Sequence, residues 1–238
     1  EEVLPTDRRF HSLALGLLLL EPLEAASPEE RIDRAHLAVA IADLLPEKQG
    51  SQAARAALRT AASLEIAECL REAGDLIRSE AELALVGGDL EASADPLDRA
   101  RFVRALGLLR RDQRRPEEAL ALLERAANLY AELREIPAEA ETRVALGELC
   151  LAAAEPLEAY EAFADAIAEI ERDEPGVSPV LEFRAAKGVA LALVLLERAE
   201  EALPSLARVA DRLASRDEPL ELRLRSLLGR IALLARRP

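Results

Sequence analysis

Small and large apolar residues recur along the chain with a fixed spacing. The tripeptide Ala-Leu-Gly occurs at positions 105–107 and again at positions 145–147, so the interval from Gly107 to Gly147 defines the period of a repeat. Twelve residues after each glycine stands an alanine, followed four residues later by a large apolar residue and three residues after that by a second alanine. These positions are Ala119, Leu123 and Ala126 in one unit and Ala159, Phe163 and Ala166 in the next. Such a period is typical of repeat proteins built from pairs of helices.

The spacing extends in both directions from these two units. Toward the amino terminus, Ala67 takes the place of the glycine and Leu83 takes the place of the large residue. Toward the carboxyl terminus, either Gly188 or Ala190 fits the small position. The choice of Ala190 places the rest of the pattern at Ala202, Leu206 and Val209. Because small residues let two helices approach closely, we expect each unit to be a tightly packed helical hairpin whose large residue fills the gap to the next hairpin.

Capping and turn residues divide the chain into helices. The pairs Ser27–Pro28, Asp95–Pro96 and Ser178–Pro179 each place an N-capping side chain before a proline at the first helical position. Breaks are predicted at Pro46, Gly87–Gly88, Pro137, 173–176 and Pro219. Together these signals predict eleven helices, near residues 6–21, 28–45, 51–72, 75–86, 96–112, 116–135, 138–153, 156–172, 179–197, 199–215 and 219–235.

Composition agrees with an all-α protein. Half of the 238 residues are hydrophobic but only 3% are aromatic, and the dominant residues (Ala, Leu, Glu and Arg) all favour helices. Few segments alternate β-branched or aromatic residues with polar ones, as strands do. The length fits one elongated domain or two small compact ones. The chain begins at Glu1 and contains no methionine, so we expect it to be part of a larger multidomain protein.

The Leu-Gly of the first helix and the Ala, large residue and Ala of the second resemble the tetratricopeptide repeat. The resemblance implies a right-handed α-solenoid of stacked antiparallel helix hairpins, with about five repeats and a terminal helix. Residues 1–238 would then form a single superhelical domain, with a divergent first hairpin in 1–50 and clearer repeats in 51–238. The units are about 40 residues long, as HEAT and armadillo units also are, whereas the usual tetratricopeptide unit has about 34. The aromatic residues of the usual first helix are also replaced, for example by Arg143 and Cys150.

Charge and hydropathy exclude several classes of partner. The formal net charge is −14 and the isoelectric point is near 4.8, which disfavours a general nucleic-acid-binding protein. The apolar run at residues 13–20 is too short to cross a bilayer and lacks the features of a signal peptide. We therefore expect a cytoplasmic protein without nucleic-acid or membrane partners. Scarce lysine beside abundant arginine and alanine favours a bacterial source.

Motifs for catalysis, cofactors and metals are missing from the sequence. It contains no P-loop, no Gly-x-Ser-x-Gly and no His-Glu-x-x-His, and its two histidines, His11 and His36, have no ligand-spaced neighbours. The two cysteines, Cys69 and Cys150, form no Cys-x-x-Cys pair and are interpreted as buried helix thiols. We expect a non-enzymatic protein with no catalytic residue, no cofactor and no metal.

One basic segment stands out against the acidic background. Residues 99–115 contain seven arginines and only one acidic residue, Asp112. The tetratricopeptide resemblance implies that first-helix residues line a concave groove for a peptide or partner protein. The groove residues that it implies are Arg71, Arg101, Arg104, Leu108, Arg111, Glu148, Arg184 and Lys187. Arg101 and Arg104 resemble part of a clamp for terminal carboxylates, although that clamp's asparagines are absent. Arg110, Arg114 and Arg115 are expected to be solvated near the turn.

Two interpretations of these arginines remain open. They either bind an acidic or carboxylate-ended peptide, or they pair with glutamates on neighbouring helices. The first interpretation predicts a protein-interaction module or scaffold. The alternative function is a sensor domain of a bacterial transcription regulator or signalling kinase that controls an attached output domain. The sequence leaves the oligomeric state open.

Overall fold

The computed structural model describes residues 12–21, 27–45, 52–90, 95–172 and 177–235. The described residues form eleven helices and no strand, so the prediction of an all-α protein is confirmed. The helices are α1 (Leu13–Leu19), α2 (Pro28–Leu44), α3 (Gln52–Glu72), α4 (Leu76–Leu90), α5 (Pro96–Asp112), α6 (Pro116–Leu133), α7 (Ile136–Ala152), α8 (Pro156–Arg172), α9 (Pro179–Leu195), α10 (Ala199–Leu213) and α11 (Glu218–Ala235). The chain divides into two compact units, residues 1–122 and 123–238.

One predicted break, at Gly87–Gly88, is wrong, whereas the chain does break between helices just before Pro137 and Pro219, within two residues of the predicted bounds. Gly87 and Gly88 lie inside α4, which continues to Leu90, because glycine weakens a helix without ending it. Pro137 and Pro219 are each the second residue of a helix, where a backbone N–H would have no partner within the helix. The predicted breaks at Pro46 and residues 173–176 lie outside the described residues, as do residues 6–11 of the first predicted helix.

The three predicted N-caps are confirmed. The Ser27 hydroxyl accepts a hydrogen bond from the Glu30 backbone N–H at 3.2 Å, and the Glu30 carboxylate accepts one from the Ser27 N–H at 2.9 Å. The Asp95 carboxylate accepts from the Leu97 N–H at 2.9 Å, and the Ser178 hydroxyl from the Val180 N–H at 3.3 Å. These bonds satisfy backbone donors that the first turn of a helix leaves without partners.

The turns inside the hairpins repeat with the same backbone geometry. Gly74, Arg114, Ala154 and Glu197 follow the first helix of their hairpins and have φ angles of 83°, 60°, 61° and 61°. The N–H of the next residue then bonds to a carbonyl five residues before it, as from Glu155 to Cys150 at 2.9 Å. This left-handed residue with a backbone bond is the usual way to end a helix. The first three of these residues are evenly spaced along the chain, and their interval equals that from Gly107 to Gly147.

In the described part of the unit that comprises residues 1–122, the core includes two clusters of apolar side chains. The first joins α2 and α3 through residues such as Ile41, Leu58 and Ile66. Gly16 of α1 lies against it, because a Cβ atom there would stand 2.5 Å from the Leu58 side chain. The second joins α3, α4 and α5 through Leu64, Ala67, Leu83, Val86 and Leu109. The residues predicted for the small and large positions, Ala67 and Leu83, therefore pack in one cluster.

In the unit that comprises residues 123–238, the ring of Phe163 packs between two glycines. A Cβ atom would lie 2.7 Å from this ring at Gly147 of α7 and 2.4 Å from it at Gly188 of α9. Both glycines therefore permit close contact of α7 and α9 with α8, as predicted for Gly147. Ala190 lies eleven residues after the first residue of α9, as Gly147 does in α7. Gly188 and Ala190 are both small, but Gly188 accommodates Phe163 of the preceding hairpin and Ala190 keeps the position of the repeat.

Candidate functional site

The predicted groove residues at the ends of α3 and α5 are paired within the chain. The Arg71 guanidinium donates to Asp112 Oδ2 at 2.7 Å, and Arg111 Nε donates to Asp112 Oδ1 at 2.9 Å. Burial alone would raise the pKa of Asp112, but the hydrogen bonds from these two arginines outweigh it and hold the pKa below its ordinary value. The single aspartate of the basic segment is therefore already engaged by two arginines.

Arg110 is also paired, contrary to the expectation that it is solvated. Its guanidinium donates to Glu80 of α4 at 2.7 Å and lies 3.5 Å from Glu118 of α6. Hydrogen bonds from Arg110 and Gln113 lower the pKa of Glu80. The expectation for Arg110 rested on its sequence position near the end of α5. In the structure, its side chain instead extends toward Glu80 on the preceding helix. Arg115 lies near the turn as expected and pairs with Glu118.

The remaining predicted residues of α5 differ in exposure. Arg101 is open to solvent, with 52% of its side chain exposed and its guanidinium 3.8 Å from Asp98. Arg104 is half-buried. Leu108 is only 5% exposed, so its side chain packs inside the molecule and cannot line an open groove. The assignment of Leu108 to the groove is therefore corrected: a leucine beside the buried Gly107 serves the packing of α5.

In the unit of residues 123–238, the predicted groove residues of α7 and α9 come together. Both Glu148 carboxylate oxygens of α7 accept hydrogen bonds from Arg184 Nη2 of α9, at 2.8 and 2.9 Å. Lys187 lies almost one turn farther along α9 and is exposed. The structure thus supports pairing between neighbouring helices for Arg184, while Lys187 presents its ammonium to solvent.

Three exposed apolar residues lie on the same side of α9 as Arg184 and Lys187. Val180, Leu191 and Leu195 are exposed, and the five residues are spaced by three or four along the helix. Residues at that spacing share one face of a helix. We call these five residues the α9 face. Its apolar members were not among the predicted groove residues, although the regular spacing of residues 180, 184, 187, 191 and 195 was a signal that could have identified them.

A buried ion cluster lies on the other side of α9. The Glu182 side chain is fully buried, and its carboxylate accepts hydrogen bonds from Arg212 Nε at 2.6 Å and Arg216 Nη1 at 3.0 Å. Arg216 also donates to the Val177 carbonyl, and Arg212 lies 3.1 Å from Glu171. The cluster joins α8, α9 and the end of α10. Its burial and its internal pairing assign it to the packing of the hairpins.

The residues considered for other chemistry are distributed as follows. Cys69 and Cys150 are buried free thiols, and burial raises the pKa of each to about 11, so both are protonated at neutral pH. His36 is exposed on α2, and His11 lies outside the described residues. The described ranges contain no group of three potential metal ligands. No helix in those ranges is both long and apolar enough to span a bilayer.

Known structures resemble this arrangement of helices. No protein-family profile and no curated protein matches the chain. A crystal structure of a putative kinesin light chain from Podosopora anserina with nearly identical TPR-like repeats has 18% sequence identity and a TM-score of 0.57, over 90% of this chain and 98% of that one. BtubC (BKLC) from P. vanneervenii has 16% identity and a TM-score of 0.52, over 90% and 94% of the two chains.

The apo form of RapI has 12% identity and a TM-score of 0.57, and the match covers 98% of this chain and 84% of that one. Identities this low establish the fold alone. The matched repeat structures favour the tetratricopeptide interpretation of the 40-residue period over HEAT or armadillo units, and the glycine, alanine and phenylalanine contacts described above agree with it. The chain has the α-solenoid fold of the tetratricopeptide-like repeat proteins.

Proposed function

We propose that this protein is a non-enzymatic interaction scaffold that binds an acidic peptide segment of a partner protein on the α9 face. The observation that carries the proposal is the combination of exposed apolar and basic side chains along one helix. Val180, Leu191 and Leu195 offer apolar contact area, and Lys187 offers an exposed positive charge between them. Exposed leucines and valine in one row are typical of surfaces that bind other proteins.

The electrostatic part of the proposal follows from the pairing of Arg184. Because both Glu148 oxygens accept hydrogen bonds from Arg184, the guanidinium is directed by this pair and keeps further N–H donors for a second carboxylate. An acidic residue of the peptide would bind between Arg184 and Lys187, with an apolar residue beside Leu191. In a protein of net charge −14, such a local basic site selects acidic ligands against the field of the whole molecule.

Arg101 extends the proposal to the other unit. Its side chain is more exposed than those of Arg71, Arg111 and Arg184, and a carboxylate-ended peptide there would replace its long contact with Asp98. Arg71 and Arg111 contribute less, because both already pair with Asp112 and Arg71 also lies near Glu68 and Glu72. The α9 face is therefore the main site that we propose, and Arg101 is a secondary one.

The test uses a library of displayed acidic peptides selected on the whole chain. Binding of a selected peptide should weaken about tenfold or more in the double variant Lys187→Glu/Leu191→Ser, and more at low than at high salt, because a charge contact is screened by ions. The matched control is Arg78→Glu/Leu85→Ser, which makes the same kinds of change at exposed residues of α4. The proposal is contradicted if both double variants lose the same amount of peptide affinity. It is also contradicted if the selected peptides bind both variants as tightly as the native chain.

A further inference from the structure

The carboxylate of Glu148 lies beside the α9 face, although Glu148 belongs to α7. Arg184 donates to Glu148 Oε1 from Nε at 3.1 Å and from Nη2 at 2.8 Å, and Nη2 also donates to Oε2 at 2.9 Å. About two fifths of each side chain is exposed. An acid from a neighbouring helix is therefore bound to the same guanidinium that, in the proposed function, receives an acidic residue of the peptide.

The donors of Arg184 limit how a peptide carboxylate can bind to it. A guanidinium carries its five N–H donors on three nitrogen atoms. The contacts with Glu148 use Nε and Nη2, and Nη1 has no acceptor among the described residues. A peptide carboxylate must then either bind at Nη1 while Glu148 stays in place, or displace Glu148 from the other two nitrogens. It meets a like charge in the first case and a competitor in the second, so Glu148 opposes an acidic ligand in both.

The exposure of the pair allows Glu148 to be displaced. Water solvates both groups of an exposed ion pair, so the pair contributes little to stability and can exchange its partners. The Glu182 carboxylate, which Arg212 and Arg216 hold, is fully buried, and a ligand that displaced it would leave a charge without water. Of these two glutamates, only Glu148 can therefore give way to a peptide on the α9 face.

The opposition from Glu148 also persists when it stays in place. Two carboxylates that bind one guanidinium lie closer together than about 8 Å, the distance over which physiological salt screens exposed charges. Their repulsion therefore remains in the complex and reduces the affinity that Arg184 would otherwise provide. The peptide carboxylate gains from Arg184 and loses part of that gain to Glu148.

The other members of the α9 face indicate what must supply the rest of the affinity. Glu148 offsets one of the two positive charges of Arg184 and Lys187, so the three groups together carry a single positive charge. Leu191 and Leu195 are exposed on the same side of the helix and offer apolar area that no carboxylate competes for. Apolar contact therefore contributes more to binding here than it would on a surface with both positive charges available.

We propose that Glu148 determines the specificity of the α9 face, because it takes the place of a ligand carboxylate at Arg184 and lowers the affinity for acidic groups. A peptide that offers only acidic residues then binds poorly. A peptide that also places an apolar residue beside Leu191 gains enough contact to bind. This inference rests on the proposed function of the α9 face, and it adds how that face selects among acidic ligands.

The test selects the same library of displayed acidic peptides on the whole native chain and on its Glu148→Gln variant. Glutamine keeps an oxygen that can accept from Arg184 but removes the charge. Peptides selected on the native chain should bind the variant about fivefold or more tightly, as measured by fluorescence anisotropy of labelled synthetic copies. Peptides selected on the variant should include acidic ones without an apolar residue.

Glu161→Gln is the matched control. Glu161 is an exposed glutamate of α8, so the variant loses the same charge away from the α9 face. Because salt screens exposed charges at a distance, its peptide affinity should stay within about twofold of the native value. Both variants should keep the circular dichroism spectrum of the native chain, since each removes one exposed carboxylate.

A second measurement separates the effect of charge from a change in packing. The gain in affinity from Glu148→Gln should vanish for a peptide whose acidic residue is replaced by glutamine, because that peptide has no charge for Glu148 to repel. The gain should also shrink in a chain that carries Arg184→Gln. A structural role of Glu148 would instead change the affinity for the acidic and the neutral peptide alike.

The outcomes distinguish this inference from the proposed function. If the selected peptides need Lys187 and Leu191 but bind Glu148→Gln no more tightly than the native chain, the inference is overturned and the proposed function stands. If neither chain selects a peptide, both are overturned. If only the variant selects acidic peptides, Glu148 closes the site completely, which supports the inference and contradicts the proposed function.

Discussion

Arginine–glutamate contacts lie on two sides of α9, and their surroundings differ. Glu182 is fully buried and is held by Arg212 and Arg216, whereas Arg184 and Glu148 meet with about two fifths of each side chain exposed. In the buried cluster, any loss of a partner leaves a charge in a medium that solvates it poorly. In the exposed pair, water replaces the lost partner. The same chemistry therefore fixes the hairpins on one side of the helix and leaves an adaptable surface on the other.

The largest effect is expected for Glu182→Ala. The substitution removes the carboxylate that Arg212 and Arg216 share and should lower the free energy of unfolding by about 3–5 kcal/mol. Urea denaturation followed by circular dichroism measures this loss. Glu148→Ala is the control for removal of a carboxylate. If both variants lose less than about 1 kcal/mol, the contrast between the two sides of α9 is wrong.

Gly188→Ala tests the buried packing of α9 without changing any charge. The new Cβ atom would lie 2.4 Å from the Phe163 ring, which cannot retreat freely because Gly147 borders it on the other side. We expect a loss of about 1–3 kcal/mol in unfolding free energy. Phe163→Leu in the same chain should recover part of it, because the smaller side chain makes room.

The control for this glycine substitution is Gly87→Ala in α4. Nothing lies within 4 Å of its Cβ position, so alanine should raise stability by about 0.5–1 kcal/mol through its higher helix propensity. Thermal unfolding of the two single variants should therefore shift in opposite directions. An unchanged or raised melting temperature for Gly188→Ala would show that the Phe163 contact does not limit the size of residue 188.

The smallest effect is expected for the exposed pair. Double-mutant cycles on Arg184→Ala and Glu148→Ala should give a coupling energy of about 0.2–1 kcal/mol that falls with added salt. A coupling energy well above this range would mean that the pair holds α7 against α9 as firmly as the buried cluster holds its helices.

The arrangement of hairpins could be predicted from the sequence because it depends on short-range sterics. A glycine or alanine at a fixed distance from a large residue limits how two consecutive helices can pack, and Gly147 with Phe163 shows this directly. The predicted end of α4 at Gly87–Gly88 is wrong because glycine is compatible with a helix interior, and the start of α7 was placed two residues late because proline is compatible with the first turn of a helix. Single-residue signals do not distinguish those places from true breaks.

The partners of the arginines could not be predicted in the same way. Arg71 and Asp112 lie 41 residues apart, and Arg110 and Glu80 lie 30 residues apart, so their pairing depends on how α3, α4 and α5 are packed. Long side chains with several rotamers can reach acids on either neighbouring helix. The α9 face is an intermediate case: its spacing was visible, but the exposure of Leu191 and Leu195 follows only from the packing of the whole unit.

The left-handed turns at Arg114, Ala154 and Glu197 have a consequence for the length of the repeat. The interval between the last two is longer than the interval between the first two, yet the backbone angle at each turn is almost the same. Most of the difference arises between hairpins, since α6 and α7 are joined by two residues and α8 and α9 by six. The turn is therefore the constant part of each hairpin, whereas the second helix (Leu76–Leu90 in one hairpin, Pro116–Leu133 in the next) and the connection vary in length. A protein engineer could change the connections while leaving every turn intact.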